Sequence, residues 1–209
     1  KVKGVPFTLL DPEPCCGMPL YQMGDFANAT RQAKTVSQRI ADAGVKEVVL
    51  LDPDCFRMLT TRFARFGAPL PGGLQVSHVS EWLLQRIEKG KWPLKKRGER
   101  FAYHDPCSLA RFTGIHEPPR TILRAIFGEE TAELPGNRGK ALCCGEGGGM
   151  LLTNPEIARE AAARRYGQAR ATGADLLITS SPACASLLSN VQTGSPRVRD
   201  LVEVVEEAV

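Results

Sequence analysis

The chain has 209 residues, with 27 lysines and arginines against 23 acidic residues and a net charge of +4 at pH 7. This length allows one large domain or two smaller ones with hydrophobic cores of their own. The charge is too small to indicate a nucleic-acid partner, and no apolar run approaches the ~20 residues of a membrane span.

The first half of the chain alternates predicted strands and helices. Strands are expected at 7–10 and 47–51, and helices at 25–43, at 79–89 and from Cys55 to about residue 66. A cysteine at a helix N-terminus has a lowered thiol pKa, which favours the thiolate. The basic stretch 91–100 follows and is predicted to be a linker.

The second half repeats this alternation. Strands are expected at 101–103 and 175–179, and helices at 118–127, 154–171 and 199–208 and after Cys184. Alternating strands and helices predict an α/β fold with a mostly parallel sheet. The carboxyl ends of such strands meet at one edge of the sheet, where ligands bind.

The cysteines fall into two copies of one pattern. Cys15-Cys16-Gly17 and Cys143-Cys144-Gly145 are each followed about forty residues later by a Pro-x-Cys sequence that ends at Cys55 or Cys184. Residues 44–55 also align with 173–184 without a gap. We therefore predict two pseudo-repeated halves, 1–90 and 101–209, each a mostly parallel sheet flanked by helices.

The seventh cysteine, Cys107, has no counterpart in the first half. The spacing of the repeat would place that counterpart ahead of Lys1. We therefore expect the chain to be a fragment of a longer protein, with an N-terminally incomplete first repeat.

The cysteine pattern indicates a metal centre. Adjacent cysteines rarely bridge each other, and an odd cysteine count fits a secreted disulfide framework poorly. Several thiolates that converge on one point suit an iron–sulfur cluster. The predicted ligands of a [4Fe–4S] cluster are Cys107, Cys143, Cys144 and Cys184, and the corresponding first-copy cysteines are Cys15, Cys16 and Cys55.

Residues beside these cysteines have predicted roles as well. The glycine loop with Gly145, Gly147 and Gly148 lacks the ending of a phosphate-binding loop. Its backbone N–H groups are instead expected to donate to the cluster or its thiolates. His104 is predicted to be a proton donor beside the site.

Two other interpretations of the cysteines are open. The four thiolates could hold zinc in a structural clamp, since tetrahedral four-cysteine sites suit zinc; the domain would then be a docking module of a larger complex. A cysteine hydrolase that pairs Cys107 with His104 would instead need one cysteine and no metal.

The motifs resemble a known family. His104-Asp105-Pro106-x-Cys, Cys143-Cys144-Gly145 and Pro182-x-Cys are similar to the cysteine-rich CCG domain. This domain occurs in the B and D subunits of heterodisulfide reductase and in the iron–sulfur subunits of glycolate oxidase, lactate-utilisation and anaerobic glycerol-3-phosphate dehydrogenase systems.

The resemblance implies an electron-transfer subunit of an oxidoreductase, with flavoprotein or other redox subunits as partners. It implies a cytoplasmic protein, or one on the cytoplasmic face of a membrane complex. The fullest heterodisulfide reductase pattern has a fifth cysteine per copy, where this chain has Asp52 and Ser181. That departure puts disulfide cleavage in doubt and favours the 2-hydroxyacid and glycerol-3-phosphate dehydrogenase relatives.

Overall fold

The computed structural model describes residues 4–209 as alternating helices and strands. The helices are α1 (Met18–Gln22), α2 (Phe26–Ala43), α3 (Pro53–Thr61), α4 (Val79–Glu88), α5 (Cys107–Thr113), α6 (Glu117–Phe127), α7 (Met150–Thr153), α8 (Pro155–Ala171), α9 (Pro182–Asn190) and α10 (Leu201–Ala208). The strands are β1 (Glu47–Leu50), β2 (Gln75–His78), β3 (Phe101–His104), β4 (Ala132–Glu133), β5 (Leu176–Thr179) and β6 (Arg197–Asp200). Within this part of the chain, no helix combines the length and the apolar character needed to cross a membrane.

The first half contains a small parallel sheet of β1 and β2, with Glu47 opposite Gln75 and Leu50 opposite His78. Helix α2 covers it with an apolar face whose residues recur every three or four positions, as helical geometry requires. The buried side chains of that face include Ala29, Ala33, Val36 and Ile40. Asp25 caps the start of this helix, where its carboxylate accepts a hydrogen bond from the Asn28 amide, and Gly44 caps its end.

The second half contains a four-stranded parallel sheet in the order β4-β3-β5-β6. Strands β3 and β5 are buried at every position. Alternate residues point to opposite faces, so Phe101 and Tyr103 pack in one core, and Ala102 packs in another. Helices α6 and α10 contribute to the first core and α8 and α9 to the second, which confirms the predicted α/β class.

Helix α4 precedes the predicted linker but packs with the second sheet. Its buried residues Val79, Trp82 and Leu83 belong to the same core as β3, α6 and α10. The linker also lies against this half, since the Lys95 amide donates to the Ala208 carbonyl at 2.7 Å. Trp82 of α4 and Trp92 of the linker meet edge to face with ring centroids 5.6 Å apart. The proposed boundaries at 90 and 100 stay predictions.

Some local predictions were wrong. Residues 7–10 form no strand, and Phe7 and Leu9 are exposed; apolar residues form a strand only where a neighbouring strand pairs with them. Strands β2 and β6 were missed because three of the four residues in each are polar and each strand leads directly into a helix. Strand β4, which has two residues, was missed as well.

Candidate metal centre

Parallel pairing places the cysteines of the second half at one edge of the sheet. Strands β3 and β5 are direct neighbours, with His104 opposite Thr179 at their carboxyl ends. Cys107 is the first residue of α5, which follows β3, and Cys184 lies in the first turn of α9, which follows β5. Cys143 and Cys144 reach the same edge from the loop that leads to α7.

The four thiols of the second half line a single cavity of about 300 Å³. The Sγ atoms of Cys107 and Cys143 are 4.0 Å apart, and those of Cys144 and Cys184 are 3.0 Å apart. Cys144 and Cys184 are buried, whereas Cys143 is exposed. The structure therefore brings together all four predicted second-copy cysteines.

Hydrogen bonds between these thiols raise the pKa of one member of each pair and lower the pKa of the other. The hydrogen bond between Cys107 and Cys143 raises the pKa of Cys107 and lowers that of Cys143. Hydrogen bonds to Cys143 and Cys184 raise the pKa of Cys144, while the bond to Cys144 lowers the pKa of Cys184 against the effect of its burial. Each pair thus holds one thiol that donates and one sulfur that accepts, and a bound metal would require all of its thiol ligands to be deprotonated.

A glycine is required directly after the cysteine pair. Gly145 has a φ of +101°, and a Cβ built on it would lie 2.4 Å from the Ala158 carbonyl oxygen. The turn directs the Gly145 amide at the Cys143 sulfur, 3.3 Å away. Of the other predicted loop residues, Gly147 and Gly148 line the cavity, and the Gly148 amide donates to Gln22 Oε1 at 2.9 Å.

The first half repeats this turn around its own cysteines. Gly17 has a φ of +87°, its Cβ position lies against the Ala29 carbonyl oxygen, and its amide donates to Cys15 Sγ at 3.4 Å. A hydrogen bond with Cys55 lowers the pKa of Cys16 and raises that of Cys55. Of the three ligands predicted in the first half, the structure thus brings Cys16 and Cys55 together.

The cavity at the second-copy cysteines is also lined by the first half, through Gln22, Asp54 and Arg57. Asp54 is hydrogen-bonded to Ser108 of the second half, and the Arg57 guanidinium lies 3.7 Å from the centre of the Phe112 ring. Glu146 is the other carboxyl group of the lining, and burial, followed by the nearby Asp54, raises its pKa to about 7. These first-half contacts were not predicted, because they depend on how the two halves pack.

The two positions that lack the fifth cysteine are helix caps. Asp52 Oδ1 accepts hydrogen bonds from the amides of Asp54 at 2.8 Å and Cys55 at 3.3 Å. Ser181 Oγ accepts one from the Cys184 amide at 3.3 Å. Each side chain therefore holds the start of a cysteine-bearing helix.

Two buried arginines behind the site were missed in the sequence. Arg120 forms a two-pronged ion pair with Asp105, at 2.8 and 2.7 Å, and also binds Glu133. Arg165 donates to His104 Nδ1 at 3.0 Å. A signal for Arg165 existed, because it interrupts the alanine stripe on the buried face of α8, between Ala162 and Ala169.

The donor set fits an iron–sulfur cluster. Four thiols face one cavity, hydrogen bonds lower the pKa of two of them, Cys143 and Cys184, and a backbone amide donates to the Cys143 sulfur. Thiolates in this number are the usual ligands of such clusters, and amide donors to sulfur tune them. Among residues 4–209, the group of possible metal ligands within 4.8 Å of one another is His104, Cys144 and Cys184.

The chain is similar to oxidoreductases, to subunits of such enzymes and to an iron–sulfur protein. It is 33% identical, over 99% of its length, to the D subunit of the dihydromethanophenazine:CoB–CoM heterodisulfide reductase of Methanosarcina acetivorans, and spans 51% of that protein. It is 27% identical, over 99% of its length, to the EtfAB:quinone oxidoreductase of Syntrophomonas wolfei, and spans 30% of it. An uncharacterised iron–sulfur protein of Methanocaldococcus jannaschii is 28% identical over 87% of the chain, which spans 34% of that relative.

The chain thus spans about half the length, or less, of these relatives. The model of the cysteine-rich domain named CCG matches residues 1–60 and 101–189, which contain both cysteine patterns. The resemblance predicted from the motifs is confirmed: the chain belongs to the CCG cysteine-rich domain family.

Proposed function

We propose that Cys107, Cys143, Cys144 and Cys184 hold a [4Fe–4S] cluster, and that the chain is the electron-transfer part of an oxidoreductase subunit. The observation that carries this proposal is the single cavity that all four thiols line. Four thiolates are the usual ligand number of a [4Fe–4S] cluster. When bound, such a cluster accepts and releases one electron at a time.

Other residues of the chain position the cysteines and shield their sulfurs. The Gly145 amide donates to the Cys143 sulfur and disperses its negative charge. Ser181 holds the Cys184 amide, which fixes the start of α9 and with it the direction of the Cys184 side chain. The buried walls around Cys144 and Cys184 keep water from these sulfurs.

We infer that the whole protein relays electrons between a redox subunit, such as a flavoprotein, and another carrier. A relative named as an EtfAB:quinone oxidoreductase supports electron transfer between a redox partner and a carrier such as a quinone. Asp52 and Ser181 use their side chains as helix caps and offer no fifth sulfur. That favours electron relay, of the 2-hydroxyacid or glycerol-3-phosphate dehydrogenase type, over cleavage of a disulfide.

The test is metal analysis of protein prepared without oxygen, together with an electron paramagnetic resonance (EPR) spectrum of the reduced state. We expect about four irons and four sulfides per chain, and loss of most of both in Cys144→Ser and Cys184→Ser. Cys55→Ser makes the same change outside the proposed ligand set and should retain the four irons. One zinc per chain without sulfide would replace the proposal with a structural zinc clamp.

A further inference from the structure

His104 lies at the end of β3 and is fully buried. Its Nδ1 atom lies 3.0 Å from Arg165 Nε. An arginine side chain has five N–H donors and no acceptor. Nδ1 must therefore accept this hydrogen bond, and the proton of the neutral ring is on Nε2.

The Nε2 atom of His104 is buried and has no hydrogen-bond partner within ordinary distance. A ring nitrogen of His104 and the sulfurs of Cys144 and Cys184 all lie within 4.8 Å of one another. Because Arg165 donates to Nδ1, Nε2 is the ring nitrogen that can donate a hydrogen bond to these sulfurs. A buried donor without a partner costs free energy, and a thiolate offers it an acceptor.

Arg165 is held rigidly in this position. It is 1% exposed, and its terminal nitrogens donate to the Pro135 carbonyl at 2.5 Å and the Gly136 carbonyl at 3.0 Å. A further bond to Gln168 at 2.9 Å lies within α8 itself. The guanidinium thus joins the His104 ring to the loop that leads to Cys143, and it cannot turn away from Nδ1 without breaking these bonds.

We propose that Arg165 fixes His104 as an Nε2–H donor to the sulfurs of Cys144 and Cys184, so that His104 is a positioning residue and not a metal ligand. This inference rests on the proposed function, in which these sulfurs hold a cluster. To ligate a metal, Nε2 would have to lose its proton, and a proton on Nδ1 would then oppose the Arg165 N–H. Proton relay through the ring would need Nδ1 to take up a proton, which the Arg165 N–H opposes; the proton-donor role predicted from the sequence stays a prediction.

The donor role predicts a change in reduction potential. Hydrogen bonds to cluster sulfurs favour the reduced, more negative state. In His104→Asn, the side-chain oxygen can replace Nδ1 as the acceptor for Arg165, while no donor reaches the position of Nε2. We expect its one-electron reduction to be about tenfold less favourable, a fall of about 59 mV.

The potential is measured by redox titration followed by EPR. His104→Gln places an amide nitrogen near the position of Nε2 and should restore most of the loss. His116→Asn is the matched control, because that histidine is partly exposed and its ring contacts Glu117. A potential of His104→Asn equal to that of His116→Asn would overturn the proposal.

A second measurement needs no variant. Nitrogen NMR of protein with ¹⁵N-labelled histidine, in the oxidised state, should show His104 protonated at Nε2 and accepting at Nδ1. In the reduced state, the ¹⁵N hyperfine coupling should be weak; a strong coupling typical of a bound nitrogen would overturn the donor role. If the protein binds no iron, the proposed function fails, while the NMR spectrum still decides the inference: a proton on Nδ1 would refute it.

Discussion

At the scale of single residues, the two copies share backbone conformation and hydrogen bonding as well as amino-acid sequence. Gly17 and Gly145 both adopt a positive φ, and the amide of each donates to the sulfur two residues earlier. A side chain at either glycine would press on a carbonyl of the following long helix, at Ala29 or Ala158. The glycine of each Cys-Cys-Gly triplet is therefore required by backbone geometry. The sequence motif alone does not show this reason.

Gly145→Ala should strongly destabilise the protein. The substitution adds the strain of a positive φ, roughly 1–2 kcal/mol, to a contact of 2.4 Å with the Ala158 carbonyl oxygen. We expect a loss of more than about 2 kcal/mol in the free energy of unfolding, measured by urea titration. Gly128→Ala is the control, since Gly128 has a φ of +74° with no atom near its Cβ position. Equal losses in the two variants would contradict the predicted clash.

At the scale of elements, helices α3 and α9 begin in the same way. Each has a capping side chain, then a proline at the first helical position, and a cysteine two residues later. Proline suits that position because it needs no hydrogen-bond partner there. The cap binds the amide of the cysteine itself, at Cys55 and at Cys184. The Pro-x-Cys motif is thus a helix start that places a thiol in the first turn.

Ser181→Ala should remove the cap of α9. Loss of a serine cap typically costs ~1 kcal/mol, and we expect a loss of that size in the free energy of unfolding. Ser189→Ala makes the same chemical change at an exposed position of the same helix and should lie within about 0.5 kcal/mol of the wild type. Thermal or urea unfolding of both variants checks the prediction, which is wrong if the two are equally stable.

At the scale of the whole molecule, the two halves are joined by a shared cavity and a shared core. Gln22, Asp54 and Arg57 of the first half line the cavity that holds the second-copy cysteines. Helix α4 fills the core of the second sheet, although it precedes the predicted linker. The second half is therefore completed by residues from the first.

Residues 91–209 alone should fail to fold stably, whereas residues 79–209 should fold. The shorter segment lacks the buried side chains Val79, Trp82 and Leu83. Each large apolar side chain contributes roughly 1.5–3 kcal/mol on burial, so the total approaches the 5–15 kcal/mol typical of a whole domain. Proton–nitrogen NMR dispersion and thermal unfolding of the two segments test this. A cooperatively folded 91–209 would contradict this expectation and support the boundary predicted from the sequence.

Much of the candidate site could be predicted because its signals are local. Cysteine spacing, the Pro-x-Cys helix starts and the alternation of strands with helices depend on residues close in the chain. The order of the sheet places Cys107 and Cys184 together once β3 and β5 are known to be neighbours. The prediction of a strand at 7–10 was wrong because a strand depends on a neighbouring strand, which local composition does not reveal.

The sequence by itself determined the α/β class, the duplicated cysteine pattern, the family, and the residues available as metal ligands. Only the tertiary structure decided that four thiols line one cavity, that the first half closes part of it, and that Asp52 and Ser181 cap helices. It also decided that Arg165 meets His104, 61 residues apart in the chain. Local patterns follow from backbone geometry and helix or strand periodicity, whereas the hydrogen bond of a buried polar group depends on which distant residue packing brings to it.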